Sequence, residues 1–99
     1  MSTKPIPGLD STSLSKKQVL TAIRSGKSLR GADLRGMDLS GVCFDDADLK
    51  ECKLAESDLS NASLKGANLA GASLWRANLK NAMLDDAVLD GADMEWCNL

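Results

Sequence analysis

The chain has 99 residues, a formal net charge of −2 and 43% hydrophobic residues of which very few are aromatic, enough for one domain near the lower size at which a packed core suffices. It contains no histidine, three cysteines without a C-x-x-C spacing, and no apolar run long enough for a signal-peptide core or a membrane span. Zinc, a disulfide framework and a membrane partner are therefore disfavoured, no cofactor is expected, and the expected compartment is the cytoplasm.

In chain order, residues 1–13 (MSTKPIPGLDSTS) mix Pro, Gly, Ser and Thr and are expected to form a flexible leader. Residues 14–26 form the next unit. Ser15-Lys16-Lys17-Gln18 spells a capping box, Leu14 and Val19 are placed as a hydrophobic staple, and Gly26 supplies a stop. The spacing predicts a helix from about Lys16 to Ser25, whose Val19, Leu20, Ala22 and Ile23 need a surface to cover. Charge also changes here. Residues 1–26 carry Lys4, Lys16, Lys17 and Arg24 against Asp10, while the remainder carries eight basic against thirteen acidic residues.

From residue 27 to 99 the chain repeats every five residues. Leu34, Leu39, Phe44, Leu49 and so on to Leu89, Met94 and Leu99 make fourteen consecutive apolar centres, and two residues before each stands a small or apolar residue, most often alanine. A helix turns about 100° per residue, so a five-residue step would spread these centres around the whole cylinder. A straight strand alternates faces, so an odd step would expose every second centre. What satisfies the pattern is a short extended piece in each block, then a corner that resets the alternation. The corner falls two residues after the centre, where nine of thirteen positions are Gly, Asp or Asn.

A chain that turns regularly with one side always inward winds into a solenoid. Charge pairing suggests how many blocks close one coil. At a spacing of 20 residues there are four opposite pairs (Asp33 with Lys53, Asp45 with Lys65, Lys65 with Asp85, Glu56 with Arg76) and two like pairs; at 15 there are three opposite and four like. Four blocks per coil is the favoured arrangement.

The blocks resemble the signature A(D/N)LXX of the pentapeptide-repeat proteins, with Ala32-Asp33-Leu34, Ala47-Asp48-Leu49, Ala67-Asn68-Leu69 and Ala77-Asn78-Leu79 intact and the likeness running over residues 32–99. The resemblance implies a right-handed quadrilateral β-helix, an all-β solenoid of about three and a half coils here, with the short N-terminal α-helix expected to cap its first coil. Met37, Val42, Phe44 and Met94 depart from the alanine and leucine pattern, so the first coil is expected to be locally widened. Every centre is expected to face inward.

Four-sided coils assign outward residues to faces. One carries Asp33, Arg35, Lys53, Glu56, Trp75, Arg76, Asp93, Glu95 and Trp96. Trp75 and Trp96 fall in neighbouring columns on consecutive coils beside Arg76, which is the composition of a protein-binding hot spot. The competing reading makes Trp96 a lid over its own coil end. Leu89, Met94 and Leu99 are expected to lie bare at the last coil, either as an end-to-end homodimer contact or as a frayed half coil. Another face carries Cys43, Asp45, Asp46, Ser63, Lys65, Gly66, Met83, Asp85 and Asp86. A solvated charge ladder is preferred there over a cation site or a phosphate mimic, and an inert exposed cysteine over a reactive thiol.

No nucleotide loop, nucleophile elbow or cleft-forming element is legible, so the chain is not expected to be an enzyme. The array is acidic, which argues against direct nucleic-acid binding. The expected function is a non-catalytic protein-protein interaction module. The alternative comes from the resemblance: some pentapeptide-repeat proteins bind DNA gyrase as DNA mimics, so a binder or modulator of gyrase or topoisomerase is the second reading.

Overall fold

The computed structural model describes residues 14–99; the leader expected at residues 1–13 lies outside them. Helix α1 spans Lys16–Arg24. Its capping box is complete, the Gln18 amide N–H donating to Ser15 Oγ at 3.2 Å and the Ser15 amide N–H donating to Gln18 Oε1 at 2.9 Å. The other end closes as a Schellman motif: Lys27 N–H reaches the Ala22 carbonyl at 2.9 Å, Gly26 N–H reaches Ile23 at 3.0 Å, and Gly26 takes φ +69°. Val19 and Ala22 are buried in the same apolar cluster as Leu29, Ala32 and Leu34, with Leu20 and Ile23 packed against it.

After α1 the backbone follows one rule. Each bridging residue pairs in parallel with the residue 20 positions on, from Asp33 with Lys53 to Asn78 with Asn98, so four blocks close each coil. The centre donates its N–H to a carbonyl in the next coil (Leu34 to Lys53 at 2.8 Å), as does the corner (Gly36 to Ala55 at 3.0 Å), while the bridging residue donates back to the previous coil (Lys53 to Ala32 at 2.9 Å). The small residue closes the turn, as when Ala62 N–H reaches the Leu59 carbonyl at 3.1 Å. One donor per block remains, and the Asp or Asn before the centre accepts it. Asp33 Oδ1 takes the Arg35 N–H, Asp58 that of Ser60, Asn68 that of Ala70 and Asp93 that of Glu95, at 2.9 to 3.2 Å. The repeat's preference for Asp or Asn thus has a cause: it satisfies an amide that the coil geometry leaves over.

All thirteen corners from Gly36 to Trp96 have positive φ, including Glu51, Glu56, Arg76 and Trp96, which are neither Gly, Asp nor Asn. The backbone thus imposes the left-handed turn whatever the side chain, at a cost of about 1 kcal/mol for each residue that resists it. A corner every five residues also limits each extended piece. The sides of the coil are single bridges, and no longer strand forms among the described residues.

The centres from Leu29 to Leu79 are buried, Phe44 completely. Cover thins in the last coil: Leu84, Leu89 and Met94 are half-buried and Leu99 is 75% exposed, because no described residue stacks on them. Asp33, expected on the outer face, is nearly buried, since the Arg35 guanidinium folds back onto its carboxylate at 2.7 and 2.8 Å. None of the four opposite pairs that favoured the 20-residue spacing is an ion pair. Those found among the described residues are Arg35 with Asp33 and Arg30 with Glu51. The register rests on backbone bonds and burial.

Candidate interaction surface

Trp75, Arg76 and Trp96 sit where the coil register places them. The Arg76 guanidinium lies over the Trp75 ring at 4.8 Å from its centroid, a cation-π stack in which the indole is half-buried and the cation exposed. Arg76 N–H bonds to the Glu95 carbonyl at 2.9 Å, so Trp96 is the corner one coil beyond Arg76. Trp96 is 75% exposed. At that exposure the indole covers little of its own coil end, and its corner is left-handed at φ +62°. The coil register thus puts an exposed indole one coil beyond a guanidinium that lies over a second indole.

The last coil exposes further apolar side chains. Leu89 and Met94 are half-buried and Leu99 exposed, as above, and Met83 and Val88, on adjoining faces of the same coil, are 42% and 40% exposed. Sequence reasoning placed Met83 on an outer face without marking it as a contact candidate, and missed Val88. The signal was present, because each stands at a bridging position that elsewhere holds Asp, Asn, Ser, Lys or Cys.

The acidic face is otherwise engaged. Asp45 accepts from the Ser63 hydroxyl, which with the Lys65 N–H at 3.2 Å holds its carboxyl below the ordinary value. No group of three or more His, Cys, Asp or Glu among the described residues is arranged to hold a metal ion. Asp48 is likewise held low, chiefly by the Ser28 hydroxyl at 2.7 Å. The cysteines are free. Cys43 is exposed, whereas Cys52 and Cys97 donate their thiols to the carbonyls of Leu29 and Leu74 at 2.9 Å, and burial pushes the Cys52 thiol up to about 12. Neither of these two bonded thiols is poised to react. No helix among the described residues is long and apolar enough to cross a membrane.

A 20-residue register, an apolar centre every fifth residue and left-handed corners define a four-sided β-helical solenoid. The chain belongs to the pentapeptide repeat family: the family model for pentapeptide repeats matches residues 28–66, 43–74 and 62–99, eight copies in all. Among solved structures, it is similar to HetL, a pentapeptide repeat protein involved in heterocyst differentiation regulation from the cyanobacterium Nostoc sp. strain PCC 7120. The two are 38% identical with a TM-score of 0.71, over 75% of this chain and 35% of HetL. Rfr23, a pentapeptide repeat protein from the cyanobacterium Cyanothece 51142, is 36% identical with a TM-score of 0.56, over 68% of this chain and 56% of Rfr23. A third, alr5209 from Nostoc PCC 7120, shares the fold at 23% identity and a TM-score of 0.58, over 89% of this chain and 78% of its own. These likenesses bring the right-handed β-helix of the family to this chain. No curated protein matches. The chain spans about a third of HetL and a little over half of Rfr23.

Proposed function

We propose that this protein is a non-catalytic interaction module: a rod of about three and a half coils over residues 27–99, capped at its first coil by residues 14–26. Its contacts come from the Trp75, Arg76 and Trp96 patch and from Leu89, Met94 and Leu99 on the last coil. The observation that carries the reading is the Arg76 guanidinium stacked on Trp75 beside a Trp96 that is 75% exposed. Aromatic and arginine side chains are enriched among the few residues that dominate binding energy in protein interfaces, and the interior of the coils is filled by Leu and Ala. HetL's involvement in regulation is work that a binding module performs.

The test is affinity capture from the source cell with wild-type protein, repeated with Trp75→Ala and Trp96→Ala. A partner held by wild type and lost with either variant, each variant keeping the wild-type melt, supports the reading. Equal capture by all three contradicts it.

A further inference from the structure

Charge is segregated along the coil axis. Between residues 14 and 32 stand Lys16, Lys17, Arg24, Lys27 and Arg30 with no acidic residue, a net +5 at the helical end. Residues 80–99 carry Asp85, Asp86, Asp90, Asp93 and Glu95 against Lys80 alone, a net −4 at the other end. The side chains are available, since all five basic and all six charged residues of the last coil are exposed.

The two ends also differ in shape and polarity in a complementary sense. The exposed large apolar side chains found among the described residues, Met83, Val88, Trp96 and Leu99, all belong to the last coil. At the helical end, a mostly apolar groove of about 240 Å³ runs along α1, lined by Lys17, Gln18, Thr21, Ala22, Ser25 and Lys27. Two lysines thus flank a concave apolar strip at one end, while acids surround protruding apolar side chains at the other. Among the described residues no next-coil carbonyl meets the amides of Leu84, Leu89 and Met94, whereas Leu64 N–H reaches the Met83 carbonyl at 2.7 Å.

We propose that copies of this chain associate head to tail, the basic α1 end of one copy seating the acidic, apolar last coil of the next. This rests on the reading of the last coil as a contact surface. It differs in what that surface meets. A symmetric pairing of two last coils would set net −4 against net −4, whereas the head-to-tail arrangement sets −4 against +5. A heterologous contact does not close on itself in a straight rod, so association continues past the dimer.

Sedimentation equilibrium of the full chain tests this at about 0.05 M and about 0.5 M NaCl, between which the screening length falls from roughly 14 to roughly 4 Å. The average mass should rise beyond that of a dimer with concentration at low salt, and the apparent association constant should drop by about tenfold or more at high salt. Lys17→Glu with Arg24→Glu should be monomeric, and so should Asp85→Lys with Asp90→Lys, both altering exposed residues. Mixing the two variants should restore association, because the mixture again contains one native end of each kind. If Lys17→Glu with Arg24→Glu forms dimers like wild type, the contact is between last coils, and head-to-tail pairing is wrong although the coil surface stands. Wild type that stays monomeric at millimolar concentration would overturn both.

Discussion

The Asp46 carboxylate lies against Gly66, one coil on and in the same corner column, and occupies the space where a β-carbon on residue 66 would go. Both residues have positive φ, 60° and 68°. At Gly36 the φ is also +68°, but nothing lies within 4 Å of a β-carbon there. Gly36→Ala therefore isolates the backbone cost of a left-handed corner, expected at about 1 kcal/mol. Gly66→Ala should cost more, with the excess removed in an Asp46→Gly background. A coupling of about 1 kcal/mol between positions 46 and 66 in a denaturant-unfolding cycle would confirm that they stack. Additive effects would show that the side chain simply swings clear.

Burial grades the core along the rod. Leu64 is wholly buried, and Leu64→Ala should cost about 2–5 kcal/mol, whereas Leu84, its counterpart one coil on and half-buried, should cost about half as much. Leu64→Lys should abolish folding, since an unpaired charge would sit mid-core. Val19→Asp, at the buried face of α1, should lower the thermal midpoint by several degrees or cause aggregation. Equal melting of Leu64→Ala and Leu84→Ala proteins would contradict the gradient.

The centre and small-residue columns were legible because five is commensurate with neither 3.6 nor 2, which leaves a cornered coil as the arrangement that keeps Leu34 through Leu79 inside. Helix α1 was legible almost to the residue, because Ser15, Gln18 and Gly26 act locally. The 20-residue register was reached through pairs such as Asp45 with Lys65 that form no ion pair, so the correct spacing had a different physical cause. Two features could not be read from the pattern. Arg35 turning back onto Asp33 is a rotamer choice within one block, and the outward projection of Trp96 depends on how little stands beside it at its corner.

Acid should weaken the fold in a defined window. Asp33, Asp38, Asp45 and Asp48 are all held below the ordinary carboxylate value, by hydrogen bonds from Arg35, Ser40, Ser63 and Ser28 respectively. Their folded-state values lie below the unfolded ones, so the stability they add is complete above the unfolded carboxylate range and is lost as pH falls through the lowered values. The thermal midpoint should be flat from about pH 7 to about pH 5 and fall below about pH 4. Asp45→Asn should flatten part of that fall. A midpoint that drops between pH 7 and 5 would point to other groups.

Gyrase inhibition is not expected of the monomer. The proposed rod of about three and a half coils, at roughly 4.8 Å each, would span about 17 Å, half of the roughly 34 Å in one turn of DNA. The exposed Lys53, Lys65 and Arg76 also interrupt the acids of the array. Supercoiling by gyrase should be unchanged at micromolar protein. Dose-dependent inhibition that vanishes with added salt would favour the DNA-mimic reading.

The central claim is that an apolar and cationic patch, rather than the charge of the rod, binds the partner. It is tested most directly by titrating the captured partner against wild type, Trp96→Ala and Trp75→Ala at about 0.05 M and about 0.5 M NaCl. Each substitution should weaken binding about thirtyfold or more, the loss expected of a hot-spot residue, while salt changes the wild-type affinity by less than about threefold. Affinity that survives both substitutions and collapses in salt would contradict the claim.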